Sequence, residues 1–252
     1  LQCGRARRLD VAPALARRDG CINVDGLGRQ AVGADDRRSL GRRLGHRRRH
    51  LDGQGSTRRK FDPANYSPNY DFVLQSARLK PTGVKLGPGQ KHEHIPEDAE
   101  AVWLSMDGDL VELTLWFGAL ARPEVRRAAL LLAPSGAVEL TSASHDTVRA
   151  PLGELASYLY EPDASVIRSG LLGTLSTELD LKIFSPEIAY LTSDRVVQSP
   201  WLRGYRVLDN LVFDRKKLKA YLREKNIGTL EIKKRGADIT PEQLRRELDP
   251  KG

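Results

Sequence analysis

The 252-residue sequence predicts a protein of class α/β plus α+β, in which two folded parts follow an arginine-rich N-terminal segment. Three observations lead to this prediction: a change of composition after residue 60, apolar runs separated by turn residues between residues 101 and 140, and a strand, helix, strand pattern between residues 158 and 192. We therefore divide the chain into residues 1–60, 61–150 and 151–252.

Arginine dominates the first segment. Residues 1–59 hold 15 Arg and 6 Asp, whereas the rest of the chain holds 26 Lys and Arg against 27 Asp and Glu, so the net charge of +8 arises in the first segment. Such a composition cannot bury enough apolar surface to offset the entropy of ordering and the charge repulsion, and we expect disorder. Three interpretations stay open: a basic arm that binds RNA phosphates, a transit peptide, and the translation of a wrong reading frame in a GC-rich gene.

Several classes of protein and site are excluded at this stage. No apolar run approaches the roughly 18 to 20 residues of a membrane span, so we expect a soluble protein. Cys3 and Cys21 both lie in the first segment, which excludes a disulfide framework or a cysteine metal site from the folded part and is compatible with the cytoplasm. Residues 22–28 could suggest a strand with a cofactor-binding glycine loop, but the strand is short and no amphipathic helix follows.

The second part begins with a proline-containing loop and continues with one helix and several strands. Asp107-Gly108-Asp109 predicts a hairpin turn, because Asp-Gly is a favoured pair there. The predicted elements are a helix over residues 70–79 and strands over residues 82–86, 101–106, 110–117, 128–132 and 137–140.

Two groups of side chains in this part could suggest a site. His92, Glu93 and His94 have metal-ligating chemistry, but they lie on a loop without a further ligand, and we predict exposed polar residues and no metal. Trp103 and Trp116 lie on apolar strands, which favours core packing over base stacking. No residue of this part shows the pattern of a nucleophile with its base, so catalytic residues stay unknown.

The third part opens with a strand over residues 158–160, followed by Asp163 as the N-cap of a single apolar-faced helix over residues 164–179. Further strands are predicted over residues 181–184, 188–192, 204–213 and 229–233. Asp214 caps a second helix that ends at Asn226-Ile227-Gly228. The last helix starts at Thr240, with Pro241 at N1, Gln243 completing a capping box, and Ile239 and Leu244 as a hydrophobic staple.

Several separated motifs carry a resemblance to a known family. YEPDASVIRSG at residues 160–170, IAYLTSD at residues 188–194 and PWLRGYRVLD at residues 200–209 resemble the THUMP-like domain at the C-terminal end of class I S-adenosylmethionine-dependent methyltransferases of actinobacterial type. The resemblance covers about residues 61–252. It implies that residues 61–150 form the C-terminal part of a Rossmann-like methyltransferase sheet and that residues 151–252 form a small α+β THUMP-like domain.

The resemblance also implies S-adenosylmethionine as the cofactor of the intact family. In that family the motif FDPxxYSP, present here at residues 61–68, follows a strand that ends in Asp-Pro-Ala-Arg-Arg. Only Arg58 and Arg59 could remain of that motif, and the upstream strand and glycine loop have no counterpart in the sequence. We therefore expect this chain to lack a complete cofactor site, as a truncated protein would.

The third part also offers basic residues that suit an RNA backbone, with one tryptophan that could stack on a base. The alternative is a set of ordinary solubilising charges, balanced by nearby glutamates. The RNA-binding candidates are Trp201, Arg203, Arg206, Lys216, Lys219, Arg223, Lys233, Lys234 and Arg235.

The leading hypothesis is the C-terminal portion of an S-adenosylmethionine-dependent methyltransferase that acts on RNA in the bacterial cytoplasm, with RNA as partner and neither a membrane nor a metal. The alternative is a noncatalytic RNA-binding protein, and a third possibility is the nonfunctional product of a damaged gene. A truncated sheet would expose a strand edge, so we also expect a tendency to associate.

Overall fold

The computed structural model describes Tyr66 and residues 68–145, 147–233 and 239–249, so the disorder predicted for residues 1–60 lies outside the described residues. These residues form two β-sheets and five α-helices. In chain order the elements are α1 Tyr70–Arg78, β1 Thr82–Leu86, β2 Glu100–Met106, β3 Asp109–Phe117, β4 Arg127–Ala133, β5 Gly136–Ser142, β6 Tyr158–Pro162, α2 Ala164–Ser169, α3 Leu172–Leu179, β7 Lys182–Ile183, β8 Leu191–Ser193, β9 Leu202–Arg206, α4 Arg215–Glu224 and α5 Pro241–Leu248.

The first sheet has the strand order β1-β3-β2-β4-β5. Strand β3 pairs antiparallel with both β1 and β2, while β2 pairs parallel with β4. Hence β1, β2 and β4 all run in the same direction, and their carboxyl ends lie at the same edge of the sheet. The predicted turn between β2 and β3 is confirmed: Asp107 and Gly108 have φ values of 52° and 86°, as a type I′ hairpin requires.

One face of this sheet carries the first core cluster, in which Trp103 and Leu113 are fully buried. The side chains that point to this face alternate along β2 and β3, as the pleat dictates. Helix α1 covers them through Tyr70 and Ala77, and the hydroxyl of Tyr70 donates to the backbone oxygen of His94 over 2.7 Å. The predicted core role of Trp103 is thereby confirmed.

The second sheet is antiparallel throughout and has the order β7-β8-β6-β9. Asp163 caps α2 as predicted, since its carboxylate accepts from the backbone nitrogen of Ser165 over 2.8 Å. The prediction of one helix over residues 164–179 is wrong, because Gly170 adopts a left-handed conformation with φ 76° and ends α2. The apolar spacing continues past this break, and α3 begins at Leu172.

The two sheets share one core cluster. It contains Leu131 and Leu140 from β4 and β5 together with Leu175 and Leu191 from α3 and β8. Helix α2 packs against β2 and β4, so residues 151–252 cover the part of this sheet face that α1 leaves open. The predicted boundary at residue 150 therefore lies between two parts with a common interior.

The C-terminal elements α4 and α5 form a smaller cluster with Leu222 and Leu244 buried. Asp214 caps α4 and Thr240 caps α5, each through a side-chain oxygen that accepts a backbone N–H, as predicted. Leu230 and Ile232 pack against this cluster, which confirms the predicted inward direction of these two side chains, but the strand predicted over residues 229–233 does not form, because this segment pairs with no other strand.

Two further local predictions in this region are wrong. Of the strand predicted over residues 204–213, only the first three residues lie in a strand, β9, Leu202–Arg206. The strand ends there because β6, its pairing partner, begins at Tyr158. The helix that starts at Arg215 does not end in the usual glycine manner. Asn226 takes the left-handed position with φ 52°, and the backbone nitrogen of Ile227 donates to the oxygen of Leu222.

Candidate functional site

The exposed side of α4 presents three of the predicted RNA-binding cations. Lys216, Lys219 and Arg223 recur at spacings of three and four, so they lie on one side of the helix. Lys216 and Arg223 are exposed, whereas the ammonium of Lys219 donates to the backbone oxygen of Glu247 over 3.0 Å. This face, defined by Lys216, Lys219 and Arg223, is called the α4 basic face below.

Two further candidate cations are engaged in ion pairs on the second sheet. Arg203 donates to the carboxylate of Glu231 over 2.8 Å, and Lys233 pairs with Glu161 and, over 3.3 Å, with Glu231. Both cations also lie within 6.0 Å of the centre of the Tyr205 ring. Their charge is therefore largely neutralised by neighbours, and they hold the segment before α5 against β6 and β9.

Trp201 does not lie where base stacking would need it. Its side chain is 6% exposed and belongs to the core cluster shared by the two sheets. The indole is covered because the chain turns inward immediately before β9, where the backbone oxygen of Trp201 accepts from Asp163 over 2.8 Å. Arg206 is exposed at the end of β9, and Lys234 and Arg235 lie outside the described residues.

The edge where β1, β2 and β4 end is the second region of interest, since ligands of open α/β sheets bind outside the carboxyl ends of parallel strands. The loop after β1 carries Gln90, which is 2% exposed, and its side-chain oxygen accepts from the Tyr66 hydroxyl over 2.5 Å. Among the described residues, no group accepts a hydrogen bond from the amide nitrogen of Gln90. Nearby, burial raises the pKa of Tyr70 to about 12.

The described residues at this edge do not form the strand-to-helix cradle that binds a nucleotide cofactor at a helix N-terminus. Strand β1 is followed by a short 3₁₀-helix, His92–His94, whereas β2 and β4 each lead directly into a hairpin. Within the described part of the chain, none of the three parallel strands is followed by an α-helix in the next connection. These residues alone therefore do not account for a catalytic step that uses S-adenosylmethionine.

A buried polar junction joins the two parts of the chain, and it was not predicted from the sequence. The guanidinium of Arg127, 6% exposed, donates to the backbone oxygens of His145 and Ser169 and lies 3.0 Å from the Nδ1 of His92. The Nε2 of His92 lies 2.7 Å from the backbone oxygen of Arg168. Desolvation, and then the adjacent positive charges, lower the pKa of His92.

A second junction lies close to the α2 cap. The hydroxyl of Ser105, fully buried on β2, donates to the Asp163 carboxylate over 2.5 Å, and the hydroxyl of Ser165 donates to the same oxygen over 2.6 Å. One carboxylate therefore caps a helix and ties it to the first sheet. His92 and Glu93 are exposed, as predicted for this loop, but His92 also makes contacts across the two parts and an edge-to-face contact with Trp103, which the sequence did not predict.

Two negative findings apply to the described residues. They contain no group of three or more His, Cys, Asp or Glu side chains placed to hold a metal ion. None of the described helices has the length and apolar character that crossing a membrane requires.

Comparison with known proteins adds three findings. Residues 202–252 match the family model described as THUMP domain-like. Two curated relatives from Mycobacterium tuberculosis, strains CDC 1551 / Oshkosh and ATCC 25618 / H37Rv, are both described as uncharacterized S-adenosylmethionine-dependent methyltransferases. Each is 34% identical over 198 residues, which is 77% of this chain and 54% of the relative. The chain thus spans about half the length of the curated relatives it matches.

The third finding concerns the fold. A crystal structure from Porphyromonas gingivalis W83, of a protein described as a methyltransferase, superposes with a TM-score of 0.56 at 18% identity. The match covers 73% of this chain and 49% of the other. At that identity the likeness establishes a common fold, and it agrees with the predicted sheet of methyltransferase type followed by a THUMP-like part.

Proposed function

This chain is a homologue of S-adenosylmethionine-dependent methyltransferases and ends in a THUMP-like domain, and from that premise we propose that it serves the methylation of RNA in the bacterial cytoplasm. In this proposal residues 202–252 hold the RNA. The donor of the methyl group is S-adenosylmethionine, as the descriptions of the curated relatives suggest.

The observation that carries the RNA proposal is the α4 basic face. It lies inside the THUMP domain-like match, and its exposed cations Lys216 and Arg223 have no carboxylate partner among the described residues. Lys216 and Arg223 are seven residues apart, about 10 Å along a helix, which suits contacts to neighbouring phosphates of one strand. Binding of this kind depends mainly on charge and should weaken steeply with salt.

The test measures binding of a fluorescent RNA hairpin with a single-stranded loop at 50 to 200 mM KCl. The variant Lys216→Glu, Lys219→Glu, Arg223→Glu should lose at least about tenfold in affinity, since each lost phosphate contact lowers the salt slope by about one. A matched variant with the same charge change, Lys80→Glu, Arg149→Glu, Lys182→Glu, alters exposed cations elsewhere and should bind nearly as the parent does. Equal losses in both variants would contradict a specific role of α4.

A noncatalytic RNA-binding protein is the second candidate function. It is favoured by the absence, within the described residues, of an α-helix directly after β1, β2 or β4. Calorimetric titration of the chain with S-adenosylhomocysteine separates the two candidates. The described residues supply only one wall of a cofactor crevice, so we expect no micromolar binding to this chain alone, and that result would favour the noncatalytic candidate. Micromolar binding would instead favour catalysis by this chain.

A further inference from the structure

The segment after β9 exposes an unusual concentration of apolar side chains. Leu208, Leu211, Val212 and Phe213 are 53%, 50%, 91% and 54% exposed. Residues 207–214 contain no helix, turn or bend. We call residues 207–213 the apolar strip.

The apolar strip has the composition of a strand but no strand pairing. The backbone nitrogen of Val207 donates to the oxygen of Ser157, where the pairing of β9 with β6 ends. Beyond it, the backbone nitrogens of Leu211 and Val212 have no hydrogen-bond partner among the described residues. Exposed apolar side chains beside unpaired backbone groups are what a further strand would cover.

The strip continues into an apolar hollow. Phe213 lines a cavity of about 410 Å³ together with Leu218, Leu222, Leu230 and Ile232. A strand that paired with the strip would therefore also extend the small cluster of α4 and α5. A contiguous exposed apolar surface often marks an interaction site. We therefore expect the strip to be covered by a binding partner.

The charges at its two ends identify that occupant. Arg206 precedes the strip and Asp214 follows it, and both are exposed. In an antiparallel pair of two identical strips centred on Asn210, Arg206 of one copy faces Asp214 of the other and Leu208 faces Val212. We propose that the apolar strip is a homodimer interface, in which two copies of this chain pair antiparallel about Asn210.

The register follows from the same charges. Moving the centre by one residue, to Asp209 or to Leu211, would place Asp214 opposite Gly204 or Leu208, and the pair with Arg206 would be lost. The cap of α4 survives in the Asn210-centred pair, since only one oxygen of Asp214 accepts from Lys217 and the other is available to a partner arginine. Asp209 and Asp214 would repel phosphates, so we expect RNA at the α4 basic face and not along the strip.

The first test is sedimentation of the full chain over about 1 to 200 μM. We expect a concentration-dependent dimer in the parent and a dissociation constant raised at least tenfold by Val212→Lys. Val148→Lys changes an apolar side chain that is 56% exposed and lies outside the strip, so it should dimerise as the parent does. A parent that stays monomeric throughout, or equal dissociation constants for Val212→Lys and the parent, would overturn the proposal.

The second test examines the register by disulfide cross-linking. With Cys3→Ser and Cys21→Ser as background, Asn210→Cys places two cysteines opposite each other across the two-fold, within the Cα separation of about 4.4 to 6.8 Å that a disulfide needs. Mild oxidation should then give a covalent dimer at least about tenfold faster than with Glu224→Cys, which is exposed on α4. Equal rates would overturn the register and leave no support for pairing about Asn210.

Discussion

The guanidinium of Arg127 lies 3.0 Å from the Nδ1 of His92, and desolvation together with this positive charge favours the neutral imidazole. The backbone oxygen of Arg168 can only accept, so the Nε2 of His92, 2.7 Å away, carries the proton and Nδ1 offers its lone pair to Arg127. A proton on Nδ1 would replace this hydrogen bond by repulsion between two cations. The contact between the two parts of the chain is therefore sensitive to acid.

Acidification should weaken the fold through His92. Its pKa is lowered in the folded state, so the stability it contributes is present above its unfolded pKa of about 6.5 and is lost as the pH falls through the folded pKa. Urea unfolding between pH 7.5 and pH 5 should show a steeper loss of stability in the parent than in His92→Gln. Parallel pH profiles for the two proteins would show that His92 does not contribute.

Loss of the Asp163 carboxylate should lower the free energy of unfolding more than loss of an ordinary helix N-cap does. Asp163→Ala removes the N-cap of α2 and leaves the buried hydroxyls of Ser105 and Ser165 without their acceptor, which together should cost about 2–4 kcal/mol in urea unfolding. Asp214→Ala removes only the exposed cap of α4 and should cost about 1 kcal/mol. Equal losses would mean that the link to Ser105 adds nothing.

Gly170→Ala should destabilise the protein for two separable reasons. At φ 76° an alanine is strained, and its Cβ would lie 2.4 Å from the Cγ2 of Thr147. We expect a loss of about 2–3 kcal/mol in urea unfolding. Gly108→Ala carries the strain at φ 86° with open space around the new Cβ, and should cost about 1 kcal/mol. The difference between the two variants measures the clash with Thr147.

The ion pairs on the second sheet predict unequal roles for two arginines in RNA binding. Arg223 is exposed on α4, whereas Arg203 is paired with Glu231. In the hairpin assay, Arg223→Ala should weaken binding about three- to tenfold and lower the salt slope by about one, and Arg203→Ala should change affinity less than about twofold. A larger effect of Arg203→Ala would show that its ion pair opens to receive RNA.

Local signals in the sequence predicted the local structure well. The Asp107-Gly108 turn and the caps at Asp163 and Thr240 depend on residues within three positions of each other, and each is confirmed. The break at Gly170 was missed because the apolar period of α2 continues into α3. Asn226 was missed because Gly228, two residues later, is the commoner left-handed residue at a helix end.

Contacts between distant residues could not be predicted in the same way. Ser105 and Asp163 are 58 positions apart, and His92 and Arg127 are 35 apart, so no spacing rule connects them. Trp201 shows the same limit, because its burial depends on how β9 joins the second sheet. For the RNA candidates, the sequence supplied the positive charges, whereas the neighbouring carboxylates that neutralise Arg203 and Lys233 became evident only in the fold.

Because Leu131 and Leu140 meet Leu175 and Leu191 in a single interior, each sheet depends on the other to cover its apolar side chains. Cutting the chain near residue 150 would therefore expose apolar core side chains on both fragments.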